Sequence, residues 1–156
     1  MTYLFVGAGQ AGSAIVDSIF DYTDDSLLGF FESTDISTLG TPLAFNSTIR
    51  DLENLSNIPK TNQYGIAQKH GVISAQEPGF EEKVTGGFGR KPNNAHDVLE
   101  DHLDELRNVF EQRFSSGTST RDNSQPEGEE SAEVQPTGPQ GQEIQFTFLF
   151  FGLGGG

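Results

Sequence analysis

The chain has no cysteine, no tryptophan and a single methionine. Without cysteine there is neither a disulfide framework nor a thiolate metal site. Cations are scarce: Lys and Arg total 9 against 23 Asp and Glu, a formal net charge of -14. Nucleic acid and anionic membranes would both repel such a chain, so neither is expected as a partner. The charge also opposes compaction unless counter-ions screen it. A high-salt cytoplasm, where acidic surfaces keep proteins soluble, is one source of this composition; an ordinary acidic linker is another. Hydrophobic residues make up only 33% of 156 positions. That suffices for one domain with a single core, with part of the length outside it. Long apolar runs are missing as well. The longest, Phe148 to Leu153, is far too short to span a bilayer. The N-terminus lacks a basic region and meets Gly7 early, so no secretory signal is expected and the reading is cytoplasmic. His70, His96 and His102 are not spaced as ligands on one helix face. They read as solvated polar side chains, and no metal site is expected.

What is present is an alternation of strand and helix patterns. Residues 2 to 6 are β-branched and aromatic, a short buried strand. Glycines 7, 9 and 12 follow, and Ala14, Ile15, Ile19 and Phe20 then recur at helical spacing. Leu43 to Asn46 reads as a second strand, after Pro42. Ser47 to Leu55 reads as a short helix with Ile49, Leu52 and Leu55 on one face, ended by Pro59. Tyr64 to Ala67 is a third strand. The span 22 to 41, with Leu27, Leu28, Phe30 and Phe31, reads as a hairpin or a surface excursion. Residues 70 to 93 look like a glycine-rich loop. Asn93 or Asn94 is placed to cap a helix from about 95 to 114, with Val98, Leu99, Leu103, Leu106, Val109 and Phe110 as its apolar stripe.

Residues 115 to 142 are Ser, Thr, Gly, Pro, Gln and Glu with almost nothing apolar. Burial there cannot offset the entropy of ordering, so a disordered acidic insertion is expected. Ile144 to Phe151 is a strand so apolar that it suits the centre of a parallel sheet covered on both faces. The overall expectation is an α/β fold, a parallel sheet with flanking helices and right-handed crossovers.

Gly7-Ala8-Gly9-Gln10-Ala11-Gly12 matches G-x-G-x-x-G between a strand and a helix. Phosphates bind at such turns because glycine lets backbone amides approach and the helix N-terminus presents its positive dipole end. Dinucleotide-binding folds share the pattern, and they want an acidic residue about 20 positions on. Glu32 stands at about that distance. A tight strand–helix turn with no ligand is the bland alternative.

Three runs favour another family. Gly9-Gln10-Ala11-Gly12-Ser13-Ala14-Ile15 is similar to the GQxGNQI signature of tubulins, and closer to the GQAGG run of the archaeal tubulin-like CetZ proteins. Ile15-Val16-Asp17 and Asp21-Tyr22 extend that similarity. Leu43-Ala44-Phe45-Asn46-Ser47, with Asp51-Leu52, resembles the AVNS…DL segment of the same family. Phe151-Gly152-Leu153-Gly154-Gly155-Gly156 looks like the start of its glycine-rich [AG]GxGGGTG[TS]G signature. Thr85-Gly86-Gly87-Phe88-Gly89-Arg90-Lys91-Pro92-Asn93 resembles the TxGxGAGxNP loop of FtsZ proteins. The chain thus resembles the N-terminal part of a tubulin/FtsZ-superfamily GTP-binding domain, outside residues 23 to 41 and 115 to 142.

The resemblance implies a site for GTP or GDP, with Mg²⁺ carried by the nucleotide. Gln10, Ala11, Gly12, Ser13 and Ala14, entered through Gly9, would form the first phosphate loop; Gln10 would face phosphates and Mg²⁺, and Ala11 the base. Asn46 would lie near the nucleotide. Gly89, Arg90 and Lys91 would occupy the loop that senses the γ-phosphate, and Gly154, Gly155 and Gly156 would begin the main phosphate cradle. Two departures stand out. The family's Gly-Ala-Gly is Gly89-Arg90-Lys91 here, whose cations would either pair with phosphate or face solvent. Ser13 replaces the usual Asn.

Tubulin-type hydrolysis occurs between subunits that associate into filaments, and no residue here takes the role of the catalytic acid. The expectation is therefore residues 1 to 156 as a partial GTP-binding domain, without GTP turnover of its own. A dinucleotide-dependent oxidoreductase fragment and a non-enzymatic acidic interaction protein are the alternatives.

Overall fold

A computed structural model describes residues 2–21, 40–89, 91–114 and 144–152. The expected insertion at 115–142 and the span 22–39 lie outside them.

Strand β1 (Thr2–Ala8) runs straight into helix α1 (Gly9–Asp21). Next come β2 (Gly40–Asn46), a short α2 (Ile49–Glu53) and a single 3₁₀ turn (Lys60–Asn62). A hairpin of β3 (Gln63–Ala67) and β4 (Gly71–Ser74) follows. Then come α3 (Phe80–Lys83), α4 (Pro92–Asp101), α5 (Leu103–Phe114) and β5 (Ile144–Phe151).

The strand order is β4-β3-β2-β1-β5. The pairs β3–β2, β2–β1 and β1–β5 are parallel, in agreement with the α/β expectation. β4 is antiparallel to β3, which makes the sheet mixed rather than parallel. A strand that returns through the three residues 68–70 can only run antiparallel, since a parallel return needs a long crossover.

Side chains alternate across β1 and so feed two cores. Phe5 packs with Val16 of α1 and with Ala44, Leu52, Leu55 and Ile58 on one face. Leu4 and Val6 pack with Leu43, Phe45, Tyr64 and Val109 of α5 on the other. Phe45 stacks on Tyr64 at 5.4 Å and meets Phe110 at 5.6 Å. Leu4, Leu43 and Leu52 are fully buried, each contributing about 1.5–3 kcal/mol by burial.

Several expectations need correction. The stretch 70–93 is not all loop; it contains β4 and α3. The long helix starts at Pro92 rather than near 95, with Lys91 at its N-cap, because proline's fixed φ and missing N–H suit the first helical position. It is also interrupted at His102, so the two segments α4 and α5 replace one rod. β5 is not central among the described strands but the last one beside β1, and it is exposed over most of its length. Phe146, Phe148, Leu149 and Phe151 are 45–59% exposed. Among the described residues no helix is long and apolar enough to cross a membrane.

Candidate functional site

Chain connections leave β1 toward β2 on one side, while β5 lies on its other side. The carboxyl ends of β1 and β5 therefore flank the point where strand order reverses, the place where open α/β sheets take their ligands. The glycine run from Gly7 to Gly12 leaves the end of β1 at that edge, and Gly152 follows the end of β5 there.

The turn there is built by close backbone approach. A side chain on Gly7 would meet Ser13 Cα at 2.6 Å and Gly12 O at 2.7 Å. A Cβ on Gly12 would overlap the carbonyl of Phe150 in β5. Glycine at these two positions lets α1 begin flush against both strands. Gly9 has φ 71°, and among the described residues a Cβ on it would meet nothing within 4 Å. Gln10 and Ala11 are exposed in the first helical turn, whose amides have no intrahelical partners. Gly152, just past β5, lies against Ala11: a Cβ there would be 3.2 Å from the Ala11 methyl.

Ser13 is turned inward. It is 1% exposed, and its hydroxyl donates to the Gly7 carbonyl at 3.4 Å. Its side chain thus braces the turn, leaving only its backbone to the edge. Ala14 lies beyond the turn, on an exposed face of α1.

Asn46 ends β2, one strand over, and is 5% exposed. Its Oδ1 accepts the Thr48 N–H at 3.0 Å, and its Nδ2 donates to Asp51 Oδ2 at 3.3 Å. The side chain thereby shapes the turn that starts α2. The segment around Gly89 is joined to this turn: Thr85 bridges Thr48, and Gly87 lies against the Ser47 and Thr48 hydroxyls. Gly89 is exposed with φ 62°, and Lys91 is exposed at the start of α4. Arg90, Gly154, Gly155 and Gly156 lie outside the described residues. The structure thus sets Gly9, Gln10, Ala11, Gly12 and Ser13 beside Gly152 at the carboxyl ends of β1 and β5, and Asn46 on the adjacent strand end with the 85–89 loop against its turn.

No family model matches the chain, and no curated protein matches it. Among solved structures it is similar to CetZ1 from Haloferax volcanii, described as a GDP-bound monomer, at 24% identity and a TM-score of 0.47. The match covers 72% of this chain and 28% of that one. The chain therefore spans well under half of that protein's length. At that score the likeness carries no weight for function.

A separate hollow of about 620 Å³ opens between α2 and α3, lined by Ile49, Glu53, Lys60, Glu77 and Phe80 among others. Glu81 and Glu82 add to its acidic wall, which would repel a phosphate.

One residue of interest was not singled out for its chemistry by sequence reading. Asp17, half-buried on α1, accepts the backbone N–H groups of Asn57 at 2.8 Å and Ile58 at 3.1 Å, and Asn57 Nδ2 at 3.2 Å. The only local sign was its place in the Ile15-Val16-Asp17 run.

Proposed function

We propose that this chain carries the first part of a guanine-nucleotide site of the tubulin/FtsZ kind. The observation that carries the reading is the Gly9–Ser13 turn. It opens a helix at the reversal point of the sheet, flush with β5 through Gly12, and bears the Gly-Gln-Ala-Gly run of that family. A phosphate fits there in two respects. Gly9 puts no side chain in its approach and no described residue crowds it, and the first-turn amides with the dipole end of α1 supply donors without needing a cation. On this reading Gly9, Gln10, Ala11, Gly12 and the Ser13 backbone hold phosphate, with Mg²⁺ accompanying the nucleotide. Asn46 acts by setting the second turn. Gly89, Arg90 and Lys91, and Gly154 to Gly156, complete the surround. In the whole protein the same reading extends to filament formation, GTP hydrolysis between subunits and a cytoplasmic location.

The dinucleotide alternative is less well supported. A ribose-holding acid belongs at the carboxyl edge, but the residue that ends β2 is Asn46, and Glu32 precedes β2 in the chain.

The test is equilibrium binding of a fluorescent GDP analogue to the purified chain with Mg²⁺ at high KCl. Displacement by GTP and GDP, not by NAD or FAD, is expected. Retention of NAD or FAD instead, or no retention of guanine nucleotide by a folded chain, would overturn the reading.

A further inference from the structure

Asp17 sits two turns into α1, on the same helix that the glycine turn opens. Its carboxylate gathers three N–H donors from a segment 40 residues away. The clamp continues inward. Ile58 is 3% exposed in the core, and its carbonyl accepts the side-chain amide of the fully buried Gln63 at 2.7 Å. Gln63 Oε1 in turn accepts Lys60 Nζ at 3.2 Å, and Ala44 of β2 is paired with Gln63 in the sheet. One carboxylate thus bolts α1 to the connection between α2 and β3.

At the opposite ends of the same elements lie the two turns of the candidate site. α1 begins at Gly9–Ser13, and α2 follows the Asn46–Thr48 turn. β1 and β2 are held in register by their ladder. With strands fixed at one level and helices fixed by Asp17 at the other, the gap between the two turns is set.

We propose that Asp17 is a positioning residue that fixes the first glycine turn relative to the β2–α2 turn without touching a ligand. For its affinity arm this rests on the nucleotide reading above; for its structural arm it does not.

Asp17→Asn keeps one acceptor but removes the charge from all three bonds and puts an amide where Asn57 Nδ2 was received, so Asn57 must turn its own amide over to meet it. Asn57→Asp in the same chain restores a donor–acceptor pair. Amide hydrogen exchange of the ligand-free protein is measured first. The expected result is exchange about tenfold faster at Ser13–Val16, amides of α1 that have intrahelical partners, in Asp17→Asn, returning toward wild type in the Asp17→Asn, Asn57→Asp pair. Affinity for the fluorescent GDP analogue falls and recovers in parallel. If Asp17→Asn loosens only Asn57 and Ile58 and leaves Ser13–Val16 unchanged, Asp17 merely holds its own turn and the proposal is overturned. If wild type binds no guanine nucleotide while the exchange pattern appears, the positioning role stands and the functional reading falls. Should Asp17→Asn fail to fold, Asn57→Ala removes only the Nδ2 bond, and the same exchange comparison decides.

Discussion

Glu105 of α5 accepts the backbone N–H of Val72 in β4 at 2.8 Å, a bond across 33 residues. Its other oxygen lies 3.0 Å from His102 Nδ1. The Val72 N–H holds the carboxyl below its ordinary value of 4.5; burial opposes this, and the His102 contact adds to it. A carboxylate whose folded pKa is depressed contributes stability above its unfolded pKa. That contribution fades as pH falls through the folded value. Urea unfolding measured from about pH 6 down to about pH 3 is expected to show Glu105→Gln with a flatter acid limb than wild type. An unchanged slope would remove Glu105 from the account.

Glu105→Ala removes the acceptor altogether. A loss of about 1 kcal/mol is expected, with faster amide exchange at Val72. Gly71 shares this contact: its φ is 69°, and a Cβ on it would overlap Glu105 Oε2. Gly71→Ala is therefore expected to cost about 1–3 kcal/mol, and part of that cost should disappear in a Glu105→Ala background.

Gly12→Val forces side-chain atoms into the Phe150 carbonyl. Separation of α1 from β5 is the expected outcome, at about 1–3 kcal/mol, read as a lower urea midpoint and increased exposure of β5 to proteolysis.

Gly9 provides the contrasting case. Its φ of 71° strains any side chain, but no described residue stands within 4 Å of an added Cβ. Gly9→Ala is expected to lose about 1 kcal/mol of stability. Its affinity for the GDP analogue should fall further than that stability loss accounts for, because the added methyl lies on the approach to the first-turn amides. Equal binding by Gly9→Ala would place the phosphates elsewhere.

The bare strand β5 sets a solubility prediction. Its residues 144–151 carry no charge, and Leu149 is 59% exposed. Leu149→Lys is expected to lower light scattering of the purified chain at equal concentration, since a charge on an open strand discourages edge pairing.

How much of this was written locally in the sequence varies by element. β1, α1, β2, α2, β3 and β5 announce themselves because each is a run of apolar residues at one period. β4 does not: Val72 and Ile73 are its only apolar residues, and the segment exists because β3 offers a partner. The break at His102 was hidden because the apolar stripe from Val98 to Phe110 continues through it. At the site, Gly9 to Ser13 and Asn46 could be read from motif and position. The inward turn of Ser13 could not, since a hydroxyl reaching a strand carbonyl leaves no pattern. Asp17 and Glu105 were invisible for a related reason: each bonds to backbone donors 33 to 41 residues away, and backbone N–H groups have no letter in a sequence.

The position of β1 between β2 and β5 has a temporal consequence. Phe5 of β1, the first described strand, pairs with Phe148 of β5, the last described one, and closing so long a loop makes that pairing a late event in folding. Gly12 has no carbonyl to rest on until Phe150 arrives. The contact between the glycine turn and β5 thus forms only after Phe150 has been made, and a molecule that binds there would recognise β1 and β5 already paired rather than β1 alone.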